Sequence, residues 1–148
     1  MSSGPSRPAA HLLSVVLVNE RRELGRLGEL VDRFGGECRL PADTVLILNL
    51  VLDEIVSNVI KYGYDDTLEH QIHVRVVLEG DLLTIQVEDD GRSFNPLEAP
   101  PPNLDLPIEQ RPIGGLGVFI VKSTVDAAEY RREGGRNVLT IKKRTSAR

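Results

Sequence analysis

The sequence predicts an α+β fold, a two-layer sandwich with helices on one face of a mixed, mostly antiparallel sheet. Three observations predict it. Two segments in the first half carry apolar residues at helical spacing, alternating apolar segments come in pairs joined by glycine-containing turns, and helices and strands are segregated along the chain. At 148 residues, with 41% hydrophobic and 27% charged residues, one globular domain with one core is expected.

Taken in order, residues 1–10 have the Ser, Pro and Gly bias of a disordered tail, which leaves a domain over residues 11–144. Leu12 to Val18 is too short for a leader core and runs straight into Glu20-Arg21-Arg22-Glu23, so it reads as a strand. From Glu20 to Phe34, the residues Leu24, Leu27, Leu30, Val31 and Phe34 form one helical stripe, which Gly35-Gly36 is expected to end. A longer helix is expected from about Asp43 to Tyr62, stopping at Gly63. Ile72 to Leu78 and Leu83 to Val87 alternate, and Gly80-Asp81 between them suits a two-residue hairpin turn. Residues 92–113 hold prolines at 96, 100, 101, 102, 107 and 112 and show no periodicity, the signature of a long lid loop. Gly114-Gly115-Leu116-Gly117 then opens a third helix to about Val125. Ala128 to Arg132 and Val138 to Lys142 close the fold as a strand pair through Gly134-Gly135.

Charge and composition exclude several classes of function. A net charge of -4 argues against a phosphate-backbone binder, so no direct nucleic-acid partner is expected. Cys38 is the single cysteine and has no partner for an intramolecular disulfide, which fits a reducing cytoplasm. No apolar run reaches the length of a membrane span. His11, His70 and His73 stand in no phospho-acceptor pattern and receive no catalytic role. The basic residues Arg131, Arg132, Arg136, Lys142, Lys143 and Arg144 fit the solvated face of a strand pair or a docking surface for an acidic partner.

Three constellations carry chemistry. On the second helix, Glu54, Asn58, Lys61 and Tyr62 are spaced i, i+4, i+7 and i+8 and share one face. That face offers a carboxylate, an amide oxygen, a cation and a phenol, the groups a Mg-nucleotide requires, although a solvated polar stripe has the same spacing. The second is Glu88-Asp89-Asp90-Gly91, at a strand end. Counting by twos from Leu83 through Ile85 and Val87 puts Asp89 on the core side, where a carboxylate needs a donor such as an adenine amino group. The alternative is a turn in which Asp89 caps its own backbone. The third is the glycine run before the third helix, where exposed amides and the helix dipole favour phosphate, or where a turn simply needs glycine.

In this order the elements resemble the Bergerat-type, histidine-kinase-like ATPase superfamily. Glu54-Ile-Val-Ser-Asn58-Val-Ile-Lys61-Tyr62-Gly63 resembles its first motif, Asp89-Asp-Gly91 its second and Gly115-Leu116-Gly117 its third. Within it, the short length and the ending Gly-Gly-Arg-Asn-Val-Leu-Thr-Ile resemble the anti-sigma-factor serine/threonine kinases, from about Leu13 to Lys143. The resemblance implies ATP and Mg²⁺ as cofactors. Glu54 would orient or deprotonate an attacking hydroxyl, and Asn58 would ligate Mg²⁺. Lys61 and Tyr62 would lie near the phosphates, Asp89 would bind the adenine amino group, Gly91 would let the base approach, and Gly115, Leu116 and Gly117 would hold the phosphates. It also implies an anti-sigma-factor antagonist and a sigma factor as partners and allows a homodimer. Where many relatives have Asp-x-Gly-x-Gly, this chain has Asp89-Asp-Gly91-Arg-Ser93 without the second glycine, so the turn there is expected to differ; Arg111 is an unassigned lid arginine. Three functions compete: phosphoryl transfer to a serine or threonine of the antagonist, an ATP-dependent binding module that moves no phosphate, and the catalytic half of a sensor histidine kinase. The last lacks a dimerisation helix pair and a phospho-acceptor histidine in this sequence.

Overall fold

A computed structural model describes residues 10–98 and 123–145. The expected tail up to residue 9, the lid from residue 99 onward, Arg111 and the helix start at Gly114 to Gly117 lie outside the described residues.

Strand β1 (His11–Val18) leads into helices α1 (Glu23–Glu37) and α2 (Ala42–Tyr62), then strands β2 (Gln71–Glu79), β3 (Leu82–Asp89), β4 (Ala127–Glu133) and β5 (Arg136–Arg144). The strands form one sheet in the order β1-β2-β3-β5-β4, and every neighbouring pair is antiparallel. Because β5 lies between β3 and β4, the chain leaves β3, crosses to the far edge and returns inward. That crossover places β5 directly beside β3.

Each hairpin follows from its turn residues. Gly80 takes a positive φ of 62° and Asp81 does not, the pattern of a type II′ turn, and Glu79 pairs with Leu82 across it. Gly134 and Gly135 are both positive, at 58° and 76°, which suits the type I′ turn between β4 and β5. Alternation then sorts the faces. Ile72, Val74, Val76 and Leu78 of β2 and Leu83, Ile85 and Val87 of β3 are buried, and they share one core with Leu48, Val51, Leu52, Ile55 and Val56 of α2. Both helices cover the same face of the sheet. No helix among the described residues is long and apolar enough to cross a membrane.

Helix α1 departs from expectation at both ends. It starts at Glu23 because that side chain turns back to accept the Val18 amide at 3.0 Å, which keeps residues 19–22 in the connection. It also runs through Gly35-Gly36 to Glu37. The residue that ends it is Arg39, with φ 56°; the Leu40 amide bonds the Gly35 carbonyl and the Arg39 amide that of Gly36, a Schellman arrangement. The two glycines therefore serve packing or nothing at all. A Cβ on Gly35 would stand 2.6 Å from Cγ2 of Val45, a stiff β-branched side chain on α2, whereas a Cβ on Gly36 would meet nothing within 4 Å. Opposite signs are expected from neighbouring substitutions: Gly36→Ala should stabilise by about 0.5–1 kcal/mol through helix propensity. Gly35→Ala should destabilise by about 1 kcal/mol as overpacking outweighs that gain. Urea denaturation of both variants checks this, and equal shifts would show that the helix contact does not constrain Gly35.

Candidate functional site

Where the last turns of α2 lie over β3 and β5, a cavity of about 310 Å³ opens. Its volume is at the lower end for small-molecule sites. Ile55, Val59, Val87 and Leu139 supply apolar lining, and Asn58, Asp89 and Asn137 bring polar groups into it.

Asp89 sits on the core side of β3, as counting by twos predicts, and is 4% exposed. Its Oδ1 accepts the Gly91 amide at 2.8 Å and the Asn137 side-chain amide at 3.0 Å. The first bond is the turn cap that the sequence offered as an alternative, so capping and presentation to the cavity occur together. Both donors share one oxygen, which leaves Oδ2 as the acceptor for a ligand. Burial pushes the Asp89 carboxyl above the usual carboxylate range, while the Asn137 and Gly91 hydrogen bonds pull the other way.

Asn137 was not among the residues expected from the sequence, yet it organises this end of the cavity. It pairs directly with Asp89 across the β3–β5 ladder. Its Nδ2 donates to Asp89 and to the Arg92 carbonyl at 2.9 Å. Its Oδ1 accepts from the Tyr130 hydroxyl, from Arg132 Nη1 at 3.1 Å and from the Phe94 amide at 3.4 Å. Arg132 also donates to the Gly91 carbonyl at 2.7 Å, so the β4–β5 hairpin holds the whole 89–92 turn. Asn137→Ala is expected to destabilise the fold by about 2–4 kcal/mol, because it removes several buried bonds and leaves the Asp89 carboxylate short of a donor. Thermal or urea unfolding measures it; a loss below about 1 kcal/mol would mean that water replaces the amide.

The helical constellation divides. Asn58, 9% exposed, lines the cavity, and its Nδ2 donates to Glu54 Oε2 at 2.7 Å. With the amide nitrogen engaged there, Oδ1 is the atom left for a cation or a donor. Tyr62 lines the same cavity and is 41% exposed. Lys61 is exposed and is not part of the lining. At Gly91 a Cβ would stand 2.6 Å from the Gly63 carbonyl oxygen, and the neighbouring Arg92 amide bonds that same oxygen at 2.8 Å. The visible requirement for glycine there is the close approach of the β3 turn to the end of α2. Ser93 lies at the cavity without a positive φ, so the turn accepts a serine there unstrained. Gly115, Leu116 and Gly117 fall outside the described residues.

Comparison with known proteins adds a family. A model of the histidine kinase-like ATPase domain matches residues 18–143. Serine-protein kinase RsbW of Listeria monocytogenes is 26% identical over 99 residues, covering 64% of this chain and 63% of the relative. Serine/threonine-protein kinase BtrW of Bordetella bronchiseptica is 24% identical over 94 residues, covering 64% and 66%. The chain thus spans just under two thirds of the length of these curated relatives. Among solved structures, the RsbU and RsbW domains of a Mycobacterium tuberculosis protein superpose with a TM-score of 0.68 at 16% identity, over 93% of this chain and 33% of that one. A blue-light activated histidine kinase of Erythrobacter litoralis gives 0.54 at 18% identity, over 84% and 41%. At these identities the two structures share a fold with this chain.

Proposed function

The chain belongs to the histidine kinase-like ATPase domain family, and from that premise we propose that it is a cytoplasmic, Mg-ATP-dependent anti-sigma factor that phosphorylates a serine or threonine of an antagonist protein and sequesters a sigma factor. One observation carries the nucleotide assignment: a buried carboxylate whose two donors among the described residues both go to one oxygen, at the end of a largely apolar cavity. Such an acceptor fits the exocyclic amine of adenine and repels the carbonyl of guanine at the same place. The kinase names of RsbW and BtrW support phosphoryl transfer to a serine or threonine.

In this reading Asn58 Oδ1 holds Mg²⁺, which supplies charge neutralisation on the phosphate oxygens when bound. A side-chain amide oxygen is the type of ligand that a hard cation such as Mg²⁺ would take. Asp89 fixes the base. Gly91 would let the base approach, Tyr62 and the exposed Lys61 would lie near the phosphates, and Gly115, Leu116 and Gly117 would hold them. Glu54 holds Asn58 through Oε2, and its other oxygen orients the acceptor hydroxyl and takes its proton. Calorimetric titration of the magnesium-supplied protein with ADP tests the site: saturable heat is expected, and none with either ADP or ATP would remove the proposal. Label transfer from ATP to a candidate antagonist tests the activity.

A second reading has its own observation. The engagement of Glu54 with the Asn58 amide is equally what a pure orienting residue would show, and then ATP would order a partner-binding surface with no phosphate moved.

A further inference from the structure

Beside the cavity, the segment after α2 folds back against the end of β3. The Arg92 amide and Nε bond the carbonyls of Gly63 and Tyr62 at 2.8 and 2.7 Å, and a third tie is made by His70. Its Nε2 lies 2.8 and 3.0 Å from the two oxygens of Asp66, and its Nδ1 lies 3.2 Å from Asp90 Oδ1. The His70 amide bonds Asn19 Oδ1 at 2.8 Å, and the Tyr64 ring stacks on the imidazole with centroids 4.2 Å apart. The His70 side chain is 16% exposed, so it is substantially shielded from solvent.

The chemistry of this arrangement depends on proton count. A neutral imidazole has one N–H and one lone pair, so it can donate to only one of two carboxylates and must face the other with a lone pair. Only the imidazolium donates to both. Asp90 lies between Asp89 and Gly91, the residues that meet the base in the function proposed above, and its side chain bonds nothing else among the described residues.

We infer that His70 is a proton-dependent positioning residue of the nucleotide cavity: as imidazolium it bridges Asp66 and Asp90 and holds the Asp89-Asp90-Gly91 turn in its binding geometry. The inference rests on the nucleotide reading. The titratable groups facing His70 are Asp66 of its own segment, Asp90 at the end of β3 and the stacked Tyr64; the β1–α1 connection contributes only the neutral Asn19. The carboxylate of Asp66, and then that of Asp90, raises the His70 pKa above its ordinary value. A raised folded-state pKa means that the bridge is complete below the ordinary histidine range and is lost as pH rises through the raised value. Nucleotide affinity should fall in the same direction.

The test measures the ADP dissociation constant of the full chain from pH 6 to 9 in the wild type, D90N and H70Q, with His70 followed by the NMR titration of its Cε1 proton. In D90N the new amide donates to the Nδ1 lone pair, so a neutral imidazole suffices. H70Q fixes one donor and one acceptor at every pH. The wild type is expected to lose about three- to tenfold in affinity across the range, the value of one charge-assisted hydrogen bond passed on in part. Both variants should lack that step, H70Q at the weaker, high-pH level, and His70 should titrate at lower pH in D90N than in the wild type. Ionisation of the ligand phosphate is common to all three proteins and cancels in their ratios. Parallel pH profiles in the wild type and both variants, with ADP bound, would overturn the role of His70 while leaving the nucleotide site standing. Absence of ADP binding at every pH in all three would overturn the site and the inference with it.

Discussion

Asp89→Asn is expected to leave the domain folded and to weaken ADP binding by at least about 100-fold, roughly 3 kcal/mol. The amide oxygen must take over the bonds from Gly91 and Asn137, since both partners are donors. That orientation turns its NH₂ group into the cavity, where donor would meet donor on adenine. The substitution swaps the sign of the recognition at one atom without changing shape, so preference for ADP over GDP should shrink along with affinity. Stability should not suffer at neutral pH. The Asp89 carboxyl is raised by burial, so its contribution to stability is present below the ordinary carboxylate range and is lost as pH rises through the raised value. The variant escapes that loss. An ADP affinity within about threefold of the wild type, with the fold intact, would remove Asp89 from base recognition.

Glu54→Gln is expected to cost about 10²- to 10⁴-fold in phosphoryl transfer, the usual span for losing a general base, while leaving ADP affinity within about threefold. The amide oxygen of glutamine can accept from Asn58 Nδ2 as the carboxylate does, so the orientation of Asn58 survives. What disappears is the capacity to take a proton from the acceptor hydroxyl. Single-turnover label transfer separates this from a change in binding. Transfer at the wild-type rate in the variant would make Glu54 an orienting residue only, and absence of transfer in both proteins together with ATP-dependent partner capture would favour the binding module.

Much of this architecture could be read locally, because local periodicity determines it. The same count by twos that placed β3 in the core also placed Asp89 there, and Gly80 and Gly134-Gly135 sit where positive φ is required. Gly35-Gly36 misled for an identifiable reason. Glycine marks both helix ends and tight helix contacts, and only the position of Val45 on the next helix distinguishes the two. Asn137 was open to the argument used for Asp89, since counting back from Ile141 through Leu139 reaches it. Its pairing with Asp89, however, depends on the β3–β5 register between segments 48 positions apart. His70 was opaque for a related reason: its two carboxylates come from its own segment and from the end of β3, and no spacing rule brings them together. The glycine run at 114 to 117 remains a sequence argument alone.

The placement of β5 between β3 and β4 also sets when the cavity can exist. The β2–β3 hairpin closes through short chain separations, whereas Asp89 gains Asn137 only when strands that lie 48 positions apart at this pair have come together. A ligand that needs both sides of the cavity has nothing to grip in a transition state where that pairing is incomplete. Nucleotide would then slow unfolding and leave the rate of refolding almost untouched.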